Sequence, residues 1–85
     1  MTMTMTKRKR DWFRILRDLH VVGISYGAVA RQCGRNPATV QAWAEGVEPK
    51  ESDARIVLAI YAKHLPEKYA EHNREFEIRV NVGVG

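Results

Sequence analysis

The side chains able to do chemistry in this 85-residue chain fall into three groups. The first is the usual catalytic and metal-binding set: His20, His64, His72, Cys33 and the carboxylates. His64 and His72 stand eight apart around Pro66, and no His, Cys or acid cluster has metal-ligand spacing. Cys33 has no neighbouring base and occupies an apolar position, which reads as a structural thiol. No nucleophile elbow, phosphate-binding loop or paired-carboxylate pattern is present. These observations predict a chain that is not an enzyme and holds no metal or cofactor.

The second group is cationic, Lys7, Arg8, Lys9 and Arg10 in a row. The third lies between positions 36 and 45: Asn36, Pro37, Ala38, Gln41, Ala42 and Glu45. An amide such as Gln41 donates and accepts along one flat edge, which fits adenine N6 and N7. Ala38 and Ala42 permit close approach and can touch a thymine methyl. Glu45 can accept from cytosine N4, or stand as a solvated charge at a helix end. Asn36 is suited to capping a helix, to contacting a phosphate or base, or to both.

Charge distribution agrees with a polyanionic partner. The net charge is +4, yet residues 11–85 hold ten basic and ten acidic side chains, so the excess comes from Lys7–Arg10. Residues 1–43 carry eight basic against two acidic side chains, and residues 44–85 carry six against eight. A basic half of this kind favours nucleic acid or anionic lipid; a solvated, solubilising tail is the plainer alternative. At this length folding buries only about 60% of the unfolded surface, too little for a cofactor-sized cavity beside a core. The opening MTMTMT lacks an apolar signal-peptide region, and no apolar run approaches the ~20 residues that span a bilayer. With a single cysteine, the expectation is a soluble, cytoplasmic protein.

The elements that would position these groups are short helices. Asp11 opens a first helix reaching about Val22, with Trp12, Ile15, Leu16, Leu19 and Val22 on one stripe and Arg14, Arg17 and Asp18 opposite. Gly23 stops it. Ser25 caps a second helix, Tyr26 to Cys33, whose inward face is Val29, Ala30 and Cys33; Gly34 ends it. A third begins with Asn36 as cap and Pro37 in the first turn, and runs to about Glu45 before Gly46. Val40 and Trp43 share its inner face. Ser52 is the expected cap of a fourth helix ending near Leu65, with Ile56, Val57, Ile60 and Tyr61 inward. Pro66 ends that helix or starts a fifth turn. From Phe76 the period changes: Phe76, Ile78, Val80, Val82 and Val84 alternate with Glu77, Arg79, Asn81 and Gly83, which predicts a half-buried strand. No other segment offers a partner strand. It either pairs with a second copy through Phe76, Ile78, Val80 and Val82, or forms a loosely packed or disordered tail. The expected organisation is thus a disordered basic arm (1–10), a helical domain (11–74) and a C-terminal strand or tail (75–85).

The pair of helices around Gly34 resembles the helix-turn-helix of phage Cro and lambda-repressor-like regulators. The family's small residue falls on Ala30, its turn glycine on Gly34 and its aliphatic core residue on Val40, with Val29, Cys33 and Trp43 at other apolar positions. A helix precedes the unit, and Trp43, Gly46 and Pro49 form a W-x-x-G-x-x-P run after it, so the resemblance covers residues 11–65. One position departs: Arg35 stands where the family keeps an aliphatic residue, which predicts a more open turn. The resemblance implies a mainly α, compact four- to five-helix lambda-repressor-like domain with a C-terminal β-strand as an added element. It further implies a homodimeric, sequence-specific double-stranded DNA-binding regulator, a phage or mobile-element repressor. In it the third helix would enter the major groove with Asn36, Pro37, Ala38, Gln41, Ala42 and Glu45 toward bases. Lys7, Arg8, Lys9, Arg10, Ser25, Tyr26, Arg31, Gln32, Arg35 and Thr39 would border phosphates. Two alternatives share the module: the antitoxin of a toxin–antitoxin pair, with a protein toxin as partner, and a protein–protein adaptor that binds no DNA.

Overall fold

The computed structural model describes residues 10–84, and side chains for residues 10–75. Among these residues the chain is mainly helical, in the order α1 (Trp12–Val21), α2 (Tyr26–Cys33), α3 (Pro37–Ala44), α4 (Glu51–His64) and α5 (Pro66–Val84). No helix of the described residues is long and apolar enough to cross a membrane.

Local chemistry accounts for most boundaries. Asp11, Ser25 and Asn36 cap α1, α2 and α3, each side-chain oxygen accepting a backbone N–H of the first turn, at 2.9–3.1 Å. Pro37 occupies the position where a missing N–H costs nothing. The first three helices end in the same way, on a glycine with positive φ: Gly23, Gly34 and Gly46. At Gly34 (φ +68°), the Arg35 N–H reaches back to the Ala30 carbonyl at 2.8 Å and the Gly34 N–H to Arg31 at 3.3 Å. Those bonds satisfy carbonyls that a helix end otherwise leaves unpaired. The turn therefore closes in the ordinary way despite Arg35.

Two boundaries differ from expectation. Lys50, not Ser52, occupies the N-cap of α4, and no side chain caps it; Glu51 and Asp53 supply negative charge to that first turn instead. The structure also carries helix where the alternating residues predict a strand, since α5 continues to Val84. A helix pairs its backbone groups within one segment, whereas a solitary strand leaves both edges open. The side chains of Phe76, Ile78, Val80 and Val82, read as a dimerisation row, lie outside the described residues, as do Lys7, Arg8 and Lys9 and the rest of positions 1–9.

The core is built from Trp12, Ile15, Leu16 and Leu19 of α1, Val29 and Ala30 of α2, Val40 and Trp43 of α3, and Val57 and Tyr61 of α4. Val22, expected on the α1 stripe, follows the helix and is exposed. Cys33, Ile24, Ile60 and Tyr69 pack partly buried around the core. Asp18, expected to face solvent, is buried: it follows Ile15 by three residues, which places it beside that side chain on the helix surface. Its carboxylate accepts from the Tyr61 hydroxyl at 2.8 Å, joining α1 to α4. Burial and that bond to Asp18 push the Tyr61 phenol well above the ordinary tyrosine range. Leu65 alone separates α4 from α5, at φ −139° and ψ 64°, outside the helical region that a following proline disfavours.

Candidate nucleic-acid interface

α3 packs on α1 and α2 through one side only. Val40 and Trp43 are buried, while Asn36, Pro37, Ala38, Gln41 and Glu45 are exposed and Ala42 and Thr39 are half-buried. Spacing dictates this division, because Val40 and Trp43, three apart, share a face and the 38/41/45 series falls opposite.

Two polar residues on the outer face are linked. The Gln41 amide donates to the Glu45 carboxylate, Nε2 to Oε2, at 3.2 Å across one turn. A primary amide has a second N–H and a carbonyl oxygen. Gln41 therefore keeps a donor–acceptor pair after binding Glu45, with its rotamer restrained. Asn36 likewise spends its Oδ1 on the Ala38 N–H and keeps both amide protons. Ser25 spends its oxygen as acceptor to Ala28 and keeps its O–H proton. Arg31 and Gln32 are exposed on α2, whereas Tyr26 is half-buried and lies edge-on to His20 at 6.2 Å.

Arg35 does not stand free at the turn. Its Nε donates to both oxygens of Asp53, at 3.1 and 3.3 Å. The Asp53 side chain is 6% exposed and that of Arg35 39%, so the pair ties the α2–α3 turn to the first turn of α4. Only Nε is used; the two Nη groups make no bond among the described residues. Burial, with Asp53 nearby, pushes the Cys33 thiol above its ordinary range, and Arg35 opposes part of that shift. The arm's last residue, Arg10, is also engaged: its Nη1 donates to Asn73 of α5 at 2.9 Å. Arg10 and Asp11 line a shallow cleft with Trp43, Glu45 and Gly46, so the arm joins the fold beside the C-terminal end of α3.

Gln41, Glu45 and Asn36 are thus grouped on one helix, Arg35 is diverted to α4, and Arg10 is held by α5. Sequence reasoning missed Asp53. A half-exposed arginine at a helix turn calls for a counter-charge, but which acid supplies it depends on how α4 packs. No family model matches the chain, and no curated protein and no solved structure matches it either.

Proposed function

We propose that this chain is a sequence-specific double-stranded DNA-binding regulator of the Cro and lambda-repressor-like helix-turn-helix type, homodimeric, acting as a repressor by occupying its site. α3 is the segment that docks in the major groove, about 12 Å wide, with Gln41 as the main reader of bases. What supports this reading is the one-sided burial of α3: Val40 and Trp43 hold it to the core while its capped tip and the Ala38, Gln41 and Glu45 side stay exposed. With one or two direct polar contacts per subunit, duplex shape and a second half-site supply the remaining specificity. The N-termini of α2 and α3 offer backbone N–H groups to phosphates.

Fluorescence anisotropy with labelled duplexes selected from a random pool tests the proposal. Wild type is expected to prefer certain sequences, and Gln41→Ala to lose about 1–3 kcal/mol of that preference while still binding non-specifically. Removing residues 1–10 is expected to lower the slope of log K against log[salt] by about 3 to 4 per subunit, if each of the four charges meets a phosphate. Duplex binding that is absent at low salt refutes the proposal.

A second reading, a protein–protein adaptor or antitoxin, draws support from an open apolar groove between α2 and α4. Ile24, Ala28, Ile56, Ala59 and Ile60 line it together with the polar Gln32, Lys63 and His64. Co-purification of a protein partner that survives Gln41→Ala but is lost on Ile60→Glu separates this reading from the first.

A further inference from the structure

His72 is 1% exposed and is the only fully buried titratable group that α5 contributes among the described residues. Its ring stands edge-on to Tyr61 of α4, with centroids 6.3 Å apart and planes at 75°, and its Nε2 has no hydrogen-bond partner. The charges facing it come from both sides. Arg10, Asp11 and Arg14 approach from the start of α1, Glu75 from its own helix, and Tyr61 from α4, where the phenol proton is already given to Asp18. Burial first, then the Arg10 and Arg14 charges, hold the imidazole below its ordinary range; Asp11 and Glu75 oppose this in part.

The same contact fastens the two arginines. Arg10 donates to Asn73 at 2.9 Å, and Arg14 pairs with Glu75 at 2.7 Å and Glu71 at 3.9 Å. Asn73 and Glu71 flank His72 in the chain, so the buried ring and the polar clamp are one unit.

We propose that His72 is a pH-sensitive pin: α5 stays docked on α1 and α4 while the imidazole is neutral, and its protonation releases α5 and frees Arg10 and Arg14. Protonation makes both ring nitrogens donors, so Nε2–H would be buried with no acceptor on a charged ring near the Arg10 and Arg14 guanidinium groups, a cost relieved by exposing the ring. This inference stands apart from the DNA-binding reading, because it concerns only how α5 is held.

Linkage gives the sign and size. With the docked ring held neutral and the released ring titrating at its ordinary value of 6.5, docking is strongest above that value and weakens as pH falls through it. The opening equilibrium of α5 is then expected to rise as pH falls from about 7.5 to about 5.5, by at most ~10-fold. Amide hydrogen exchange followed by NMR on the full chain, corrected for intrinsic rates, reads this directly. Residues 66–75 are expected to open more at the lower pH, by up to ~10-fold, while α2 and α3 keep their protection, and His72→Phe and His72→Leu to abolish the response. If neither variant folds, the wild-type titration decides alone: the His72 resonance must move below the ordinary imidazole range, in step with opening. Opening that ignores pH, a response that persists in either variant, or α2 and α3 opening together with α5 overturns the proposal.

Discussion

Removing Arg35 is expected to destabilise the domain through the residue it leaves behind. With Nε–O distances of 3.1 and 3.3 Å, the charge centres of Arg35 and Asp53 are roughly 4 Å apart, worth about 4 kcal/mol at an effective dielectric constant of about 20. Arg35 is 39% exposed, and solvent there screens part of the attraction, leaving a coupling of about 2 kcal/mol. Arg35→Met also strands a carboxylate that is 94% buried, judged from its 6% exposure, so the single variant is expected to lose about 2–3 kcal/mol. For a domain of this size that lowers Tm by roughly 8–24 °C. Asp53→Leu should lose less, because the half-exposed guanidinium can turn to water. The double variant Arg35→Met/Asp53→Leu is expected to return to within about 1 kcal/mol of wild type, since apolar replacement of a buried pair is often neutral. Urea unfolding of the four proteins at neutral pH closes the cycle. A coupling below about 0.5 kcal/mol would mean that Gly34 and its backbone bonds fix the turn unaided, and that the pair is incidental. Duplex affinity measured on the same set separates two roles for Arg35. If it acts only through the turn, the double variant binds like wild type; if its spare Nη groups meet a phosphate, affinity stays low and the salt slope falls by about 1.

Gly34→Ala is expected to cost about 1–2 kcal/mol in thermal melts; nothing lies within 4 Å of the added methyl, so the whole effect is the left-handed backbone at φ +68°. Gly34→Asn should recover much of it, and equal losses for both would point instead to a steric clash. Tyr61→Phe leaves Asp18 buried without its donor and should cost about 1–3 kcal/mol in urea unfolding. The upward shift of the phenol means that its stabilising effect is complete below the ordinary tyrosine value and is lost as pH rises above it; ultraviolet titration of wild type should show an ionisation above the ordinary tyrosine range that Tyr61→Phe removes. If α3 reads DNA as proposed, Glu45→Ala should weaken sequence preference less than Gln41→Ala does, because Glu45 accepts from the Gln41 amide and restrains it; anisotropy competition that ranks them the other way would make Glu45 itself the reader.

Helix ends were the most legible part of this sequence. Asp11, Ser25, Asn36 and Pro37 at the starts, and Gly23, Gly34 and Gly46 at the stops, act within a turn or two of chain, so their types nearly suffice to place them. The inner and outer faces of α3 were legible for the same reason, since Val40 and Trp43 fix them by spacing. Buried polar residues were not. Asp18, Asp53 and His72 are indistinguishable from surface residues until Tyr61, Arg35 and the start of α1 are brought against them, and those partners lie 18 or more residues away. The segment beginning at Phe76 failed for another reason. Its period-two pattern is a property of side chains, whereas the backbone there can continue from α5 and needs no second strand to pair with.

The bonds that hold α5 join opposite ends of the described chain: 63 residues separate Arg10 from Asn73, and 61 separate Arg14 from Glu75. Closing so long a loop has an entropic cost larger than that of contacts between neighbouring helices such as α2 and α3. The contacts between α5 and the start of α1 are on that ground expected to form after neighbouring helices have paired, an order that φ-value analysis would test. A growing polypeptide would have its α2–α3 unit complete before the residues that fasten the root of its basic arm have been synthesised.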